Sequence, residues 1–409
     1  MIRYLYFISL ICVIISCLIF PNSLQVLSAI SLGVCFVCAF INMRLNKQSL
    51  YFFGFWVIAS FVTLFYLLLG VIKGAPDAAV FQVLSIYILF PLFWIVVLKY
   101  ILEVLSPDYL VKGLLLTGLA ACLSVIFFYY NFLVNGPDSV GFFIQGANVN
   151  VSKAGFIAAT MHVFGTLIFL TGGYVSAYGL FNGSKKNSAL LALFVFVALI
   201  SGRSALILSI IVGLSINIVI YIRNPNFKKR DGFLKKMALL VSFVLAITLV
   251  FKYFELSFLA VLAPLFDKIY SGGGGERSSQ FIGLISGFSD NFGFGSGHGI
   301  GIDYVASDIY PWRYEMVWVA LLYRVGLIGT LIYLAPFLLT LAYGVSKLFK
   351  GELDDNEAFI FGGFVSVLIA SNTNPYIEAF VFQWMYIFPV LYFLSRVKRA
   401  NTYLWFKAV

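Results

Sequence analysis

The stretch LYFFGFWVIASFVTLFYLLLGVI, residues 50–72, carries no charged residue from end to end. Crossing the hydrocarbon layer takes about 20 such residues as a helix, because no water is available there to satisfy free backbone groups. Runs of this kind recur along the whole chain, and we read spans at residues 4–20, 24–41, 50–72, 80–98, 111–134, 154–181, 188–200, 204–222, 237–254, 314–348, 358–370 and 379–395. The expected fold is therefore an all-α polytopic membrane protein of twelve transmembrane helices, a single integral membrane domain over residues 1–409. Residues 4–20 behind Arg3 resemble the front of a signal peptide, but no small-x-small cleavage site follows, so they are kept as the first helix.

Composition agrees. Hydrophobic residues make up 62% and charged residues 11% of the chain, where a soluble domain has about a quarter charged, and the mean hydropathy is +0.99. The net charge of +10 does not mark a nucleic-acid binder, because the basic residues fall mostly in short turns between apolar runs. With twelve spans, nineteen of the 27 Lys and Arg residues lie on the side of the N-terminus and eight on the other. The positive-inside rule makes the first side cytoplasmic, with both termini there. The expected location is a bacterial inner membrane. The five cysteines (12, 17, 35, 38 and 122) all lie inside apolar runs and read as packing residues, including the pair Cys35 and Cys38.

Residues 255–313 interrupt the pattern and form the one large loop, external and periplasmic on this orientation, between the ninth and tenth spans. It holds Gly272 to Gly275, Arg277 and the run GFGSGHG at residues 293–299. Phe281, Leu284, Ile285 and Phe288 recur at helical spacing, which predicts a short amphipathic helix starting near Arg277. A second break, ISGRSA at residues 200–205, places Arg203 at the tip of a short turn on the same side. Both segments read as mobile, and together they set cations at one membrane surface, suited to a lipid-linked anion.

An arginine between apolar helices must be paired or must face water or a ligand, and its planar guanidinium binds phosphate oxygens two at a time. Arg203 and Arg277 are the leading candidates; Arg277 also opens a helix, whose first amides favour an anion. Arg313 and Arg324 fall on nearly one face if residues 314–348 form one helix, giving a basic stripe that descends about 16 Å. The alternative for Arg324 is neutralisation of a buried carboxylate such as Glu378. Glu315 is a candidate general base or a salt-bridge partner of Arg313, and His298 a candidate ligand or proton carrier. Tyr310, Trp312 and Tyr314 are candidates for stacking on sugars or for plain interface anchoring. His162 reads as a packing residue. The acidic group Glu352, Asp354, Asp355 and Glu357 reads as a solvated cytoplasmic turn, and no metal site and no cofactor is expected.

The turn SGRSA at 201–205, Glu276-Arg277 followed by NFGFG at 291–295, and Arg313-Tyr314-Glu315 running into GLIG at 326–329 resemble the bacterial O-antigen ligase and O-antigen polymerase superfamily. The resemblance covers residues 188–393, about half of the chain. It implies a Wzy-type polymerase that transfers a glycan from undecaprenyl diphosphate to a sugar hydroxyl of the next lipid-linked repeat unit, without a metal. On that reading the catalytic residues are Arg203, Arg277 and Glu315, and Arg313, Arg324, His298 and Tyr314 bind substrate. The implied partners are the lipid-linked oligosaccharide donor and acceptor, membrane lipid and a chain-length regulator protein, and no nucleic acid. Ligases of this group carry a histidine where Glu315 stands, which favours the polymerase over the ligase. A lipid-linked oligosaccharide flippase is the third reading, and would carry its cations in a central cavity near mid-membrane.

Overall fold

The structure is a computed structural model that describes residues 2–21, 23–142, 149–151, 157–159, 163–179, 185–224, 241–242, 245, 275–305 and 310–397. The ninth expected span, residues 237–254, the loop from 255 to 274 and His162 lie outside the described residues, apart from 241, 242 and 245 in that span. The described secondary structure is helical except for a short antiparallel pairing of Val149–Val151 with Ile157–Ala159. That pairing corrects the sixth expected span: residues 157–159 are extended, paired with 149–151, and the described helix is Val163–Tyr178.

In chain order the helices are α1 (Ile2–Ile19), α2 (Gln25–Asn42), α3 (Lys47–Ile72), α4 (Asp77–Val104), α5 (Pro107–Asn135), α6 (Val163–Tyr178), α7 (Lys185–Ile200), α8 (Ser204–Arg223), α9 (Gly275–Asp290), α10 (Val317–Lys350), α11 (Asp355–Ala370) and α12 (Trp384–Val397). Among the described residues seven of them, α1 to α5, α8 and α10, are long and apolar enough to cross a membrane. Helix starts follow local chemistry: the Asn46 side chain accepts from the amide of Ser49 at 3.0 Å, and Asp354 accepts from that of Glu357 at 2.8 Å.

The core is built around α6. Every residue from Val163 to Ala177 is buried, as expected for a helix that is apolar all round. Its Gly172 and Gly173 lie directly against Gly362, Ser366 and Phe359 of α11, so the two backbones approach closely. Cys17, Cys35, Cys38 and Cys122 are buried and unbridged in the same core, in keeping with their reading as packing residues.

Polar contacts tie the loops into two ends. One end holds the bonds of Arg44 to Glu103, Asn356 to Asp108, Lys347 to Glu357 and Arg396 to Asp354. The acidic turn is thus no solvated loop throughout: Glu357 is buried and accepts twice from the ammonium of Lys347, at 2.6 and 2.7 Å. The other end holds Ser23 with the Phe142 carbonyl, Lys73 with Asn291, and Arg277 with Thr373.

Two further boundaries differ from the sequence reading. The tenth span is helical only from Val317 and is broken at Gly326, whose φ of 63° and ψ of −174° lie outside helical geometry. The last span begins at Trp384 rather than 379, because residues 376–382 form two tight turns that carry the buried Glu378.

Candidate functional site

The expected amphipathic helix is present as α9. Its Gln280 and Leu284 are buried, and Gly287 rests on the ring of Tyr323 in α10, while Phe281 and Ile282 face outward. Of its four expected apolar positions, only Leu284 is fully buried; the docking face runs through the small and polar positions beside it.

The chain after α9 is not the mobile segment that its glycines suggest. Breaking α10 at Gly326 leaves the carbonyls of Tyr323 and Arg324 without their helical donors, and inside a bilayer such groups must be bonded by protein. The glycine-rich run supplies the donors: Ser296 N binds the Tyr323 carbonyl at 2.7 Å and Gly297 N binds that of Arg324 at 2.9 Å. In return the amide of Leu327 donates to the carbonyl of Gly293 at 3.0 Å. The fit is backbone on backbone. A Cβ at Gly295 would stand 2.5 Å from the Gly326 nitrogen, and both residues have positive φ, 90° and 63°. One step further, His298 N binds the carbonyl of Tyr66 at 2.9 Å. Tyr66 lies six residues before the end of α3, so the loop reaches about 9 Å below that helix end.

This docking sets the places of the charged residues. Arg277, in the first turn of α9, donates from Nε to Oε2 of Glu315 at 2.9 Å and from Nη2 to the Thr373 carbonyl at 3.2 Å. The partner of Glu315 is thus Arg277 and not its neighbour in sequence Arg313. Gln280 fixes the segment by accepting from the amide of Glu315 at 3.1 Å. With side chains 27% and 42% exposed, Arg277 and Glu315 remain open to an incoming molecule. Arg203 follows Gly202, which turns the chain at φ 61°, and its guanidinium lies 5.8 Å from the centre of the Phe164 ring. Tyr376 stands within electrostatic reach of both Arg203 and Glu315. Burial pushes its phenol up to about 12, opposed by Arg203 and reinforced by Glu315. Arg203, Arg277 and Glu315 therefore gather around one turn, residues 371–376.

A second cluster lies beside it, buried. Arg324 and Glu378 form an ion pair with exposures of 3% and 4%, so of the two readings of Arg324 the contacts show the paired one. The phenol of Tyr87 donates to Glu378 at 2.9 Å and accepts from Arg324 at 3.2 Å. Arg313 is not on a helix and does not share a helix face with Arg324, which corrects the expected stripe: its guanidinium lies 5.3 Å from the centre of the Tyr310 ring. Arg313 and Arg324 do line one small cavity with His298, Tyr87, Gln82 and Glu378, with room for about one water molecule.

His298 is wholly buried, and burial first, then Arg324, lowers it to about 3. It is a neutral imidazole at working pH, unsuited to gripping an anion. Tyr314 is also buried, its hydroxyl accepting from the amide of Ile302 at 2.7 Å, so it braces the loop instead of presenting a ring to a sugar. Trp312 donates from Nε1 to Gln82 at 2.8 Å. Tyr376, Tyr87 and Gln280 were not singled out from sequence; each is an uncharged residue whose position in the site depends on contacts far along the chain. Among the described residues no group of His, Cys, Asp and Glu has the arrangement of a metal site. No protein-family model and no curated protein matches this chain.

Proposed function

We propose that the chain is an inner-membrane glycosyltransferase that polymerises undecaprenyl-diphosphate-linked repeat units into O-antigen or capsular polysaccharide on the periplasmic face. The observation that carries this reading is the gathering of Arg203, Arg277 and Glu315 around the 371–376 turn, with Arg277 and Glu315 27% and 42% exposed. In the reaction, a hydroxyl oxygen of the acceptor sugar attacks the anomeric carbon of the donor glycan. The bond from that carbon to the diphosphate oxygen breaks, and the diphosphate leaves with the electron pair. Two guanidiniums, Arg203 and Arg277, stabilise the charge that develops there. Glu315, held next to Arg277, takes the proton from the attacking hydroxyl. No metal is needed, since diphosphate is a good leaving group once its charge is met.

The flippase reading requires interior cations in a cavity wide enough for cargo. The buried Arg324 is matched by Glu378, and the space beside it holds about one water. The ligase reading lacks its histidine at position 315, and His298 is buried and neutral.

Arg203→Ala and Arg277→Ala are expected to leave the protein in the membrane while cells make only single-repeat glycans on the lipid core, read on a surface-polysaccharide gel. Long-chain ladders from both variants would remove the arginines from the mechanism. Deleting the gene separates the three readings: capped single units for the polymerase, unattached polymer for the ligase, no exported repeat for the flippase.

A further inference from the structure

The buried ion pair poses a question of its own. Taking two charges out of water costs several kcal/mol each, and an apolar pair of similar volume is often as stable. What an apolar pair cannot do is direct bonds, and the bonds of Arg324 go to two separate pieces of chain. Nη1 reaches Glu378, in the turn that also carries Thr373 and Tyr376; Nη2 donates to the carbonyl of Trp312 at 2.6 Å, in the segment that leads to Glu315. Its guanidinium also lies 5.9 Å from the centre of the Tyr314 ring. These are the two segments between which Arg277 is bonded, to Glu315 on one side and to the Thr373 carbonyl on the other.

Arg324 is itself held from behind. It stands two residues before the break in α10, and Gly297 binds its carbonyl at 2.9 Å. Tyr87 of α4 closes the triangle with Glu378, and Gln82 of the same helix holds the indole of Trp312. A planar, permanently charged fork is thus fixed at its backbone and at both prongs.

The geometry points to Arg324 and Glu378 as a positioning pair: one guanidinium sets the spacing between the 312–315 segment and the 373–378 turn, and through it the geometry of Arg277 and Glu315. Its effect on turnover rests on the reading of those two residues as reacting groups; its effect on spacing does not. The pair touches no substrate. It acts by holding the groups that do, and misplacing them by about 1 Å is enough to cost about a hundredfold in rate.

The test removes both charges together, Arg324→Met with Glu378→Met, so that no lone charge is left buried. Nitroxides at Met316→Cys, the residue that follows the first segment, and at Asn374→Cys in the second report the spacing by dipolar broadening. Cys12, the one cysteine that is not fully buried, is first replaced by serine. The expected result is a narrow distance distribution with the native pair and a broad or shifted one without it, at little change in melting temperature. Turnover should fall about a hundredfold with donor KM within about threefold, the pattern of lost transition-state contacts. An unchanged distance distribution overturns the inference, as does a loss of turnover that only follows a loss of folded protein. If the double variant does not accumulate, Arg324→Gln with Glu378→Gln, which likewise leaves no lone charge buried, takes its place with the same expectations. A broadened distance with a normal glycan ladder upholds the positioning pair and instead overturns the assignment of Arg277 and Glu315 as reacting groups.

Discussion

On the proposed function, three charged side chains at one turn divide the work of glycan transfer, and Glu315 is the one whose loss can be read most directly. Its carboxylate is bonded to Arg277 yet 42% exposed, so Glu315→Gln keeps the shape and a hydrogen-bond acceptor while removing the proton acceptor. Turnover should fall by a factor on the order of 100, with donor binding little changed. Equal activity of the two proteins across pH would exclude a base at 315. His298 makes the opposite case, a titratable residue placed for structure. Unfolded, it takes a proton near 6.5; folded, only near about 3. The native state therefore binds fewer protons between these values, its stability is fully present above 6.5, and it is lost as pH falls, by at most about 1.4 kcal/mol per unit. Thermal melts between pH 6.5 and 5 should show this slope, and His298→Phe should flatten it. Arg203, Arg277 and Glu315 were legible in sequence because a charge in an apolar setting demands an explanation. Tyr376 and Tyr87 were not, since tyrosines are common in this chain and the turn they serve is assembled from distant segments.

At the scale of elements, the broken α10 and the loop that mends it form one unit. A side chain at Gly295 would meet the Gly326 nitrogen at 2.5 Å and the Arg324 carbonyl at 2.8 Å, and neither can withdraw without opening the break. Gly295→Ala should cost about 2 kcal/mol and lower the melting temperature. Gly54→Ala in the middle of α3, where nothing lies within 4 Å of an added Cβ, should be neutral or slightly stabilising. Equal melting temperatures for the two variants would mean that the loop is not packed as described. Sequence showed glycines at every second position from 293 to 299 and suggested a mobile segment. The structure gives two of them another cause, close contact of Gly295 with the backbone of α10 and of Gly297 with that of α3, which no local pattern reveals because the partners lie far away in the chain. The GLIG motif at 326–329 was visible as a resemblance, and its first glycine now has a physical role as the break itself. The amphipathic helix was placed correctly from its periodicity, although its docking face was not.

For the whole molecule, the sidedness deduced from charge and the sidedness given by contacts can be set against each other. Arg44, Arg223, Lys347 and Arg396 fall at the end tied by Arg396 to Asp354 and Asn356 to Asp108, where Gly351 also lies against the Arg223 carbonyl. Lys73, Arg203 and Arg277 fall at the opposite end, through Asn291, Tyr376 and Thr373. Among the described residues α2, α4, α8, α10 and α12 finish at the first end and α3 at the second, and this placement of basic turns was legible because apolar run length and charge are both local signals. It leads to a prediction that needs no substrate. Single cysteines at Ser278 and Asn374 should react with an impermeant thiol reagent from one side of the membrane, and cysteines at Tyr109 and Glu352 from the other, each in a Cys12→Ser background. On the proposed orientation the first pair is labelled in intact spheroplasts and the second only in inverted vesicles. If 278 and 374 were labelled from opposite sides, the bond between Arg277 and the Thr373 carbonyl could not exist in the membrane. If both were labelled only from the cytoplasmic side, the site would face nucleotides instead of exported lipid-linked sugars, and transfer between two undecaprenyl carriers would have to be abandoned as its chemistry.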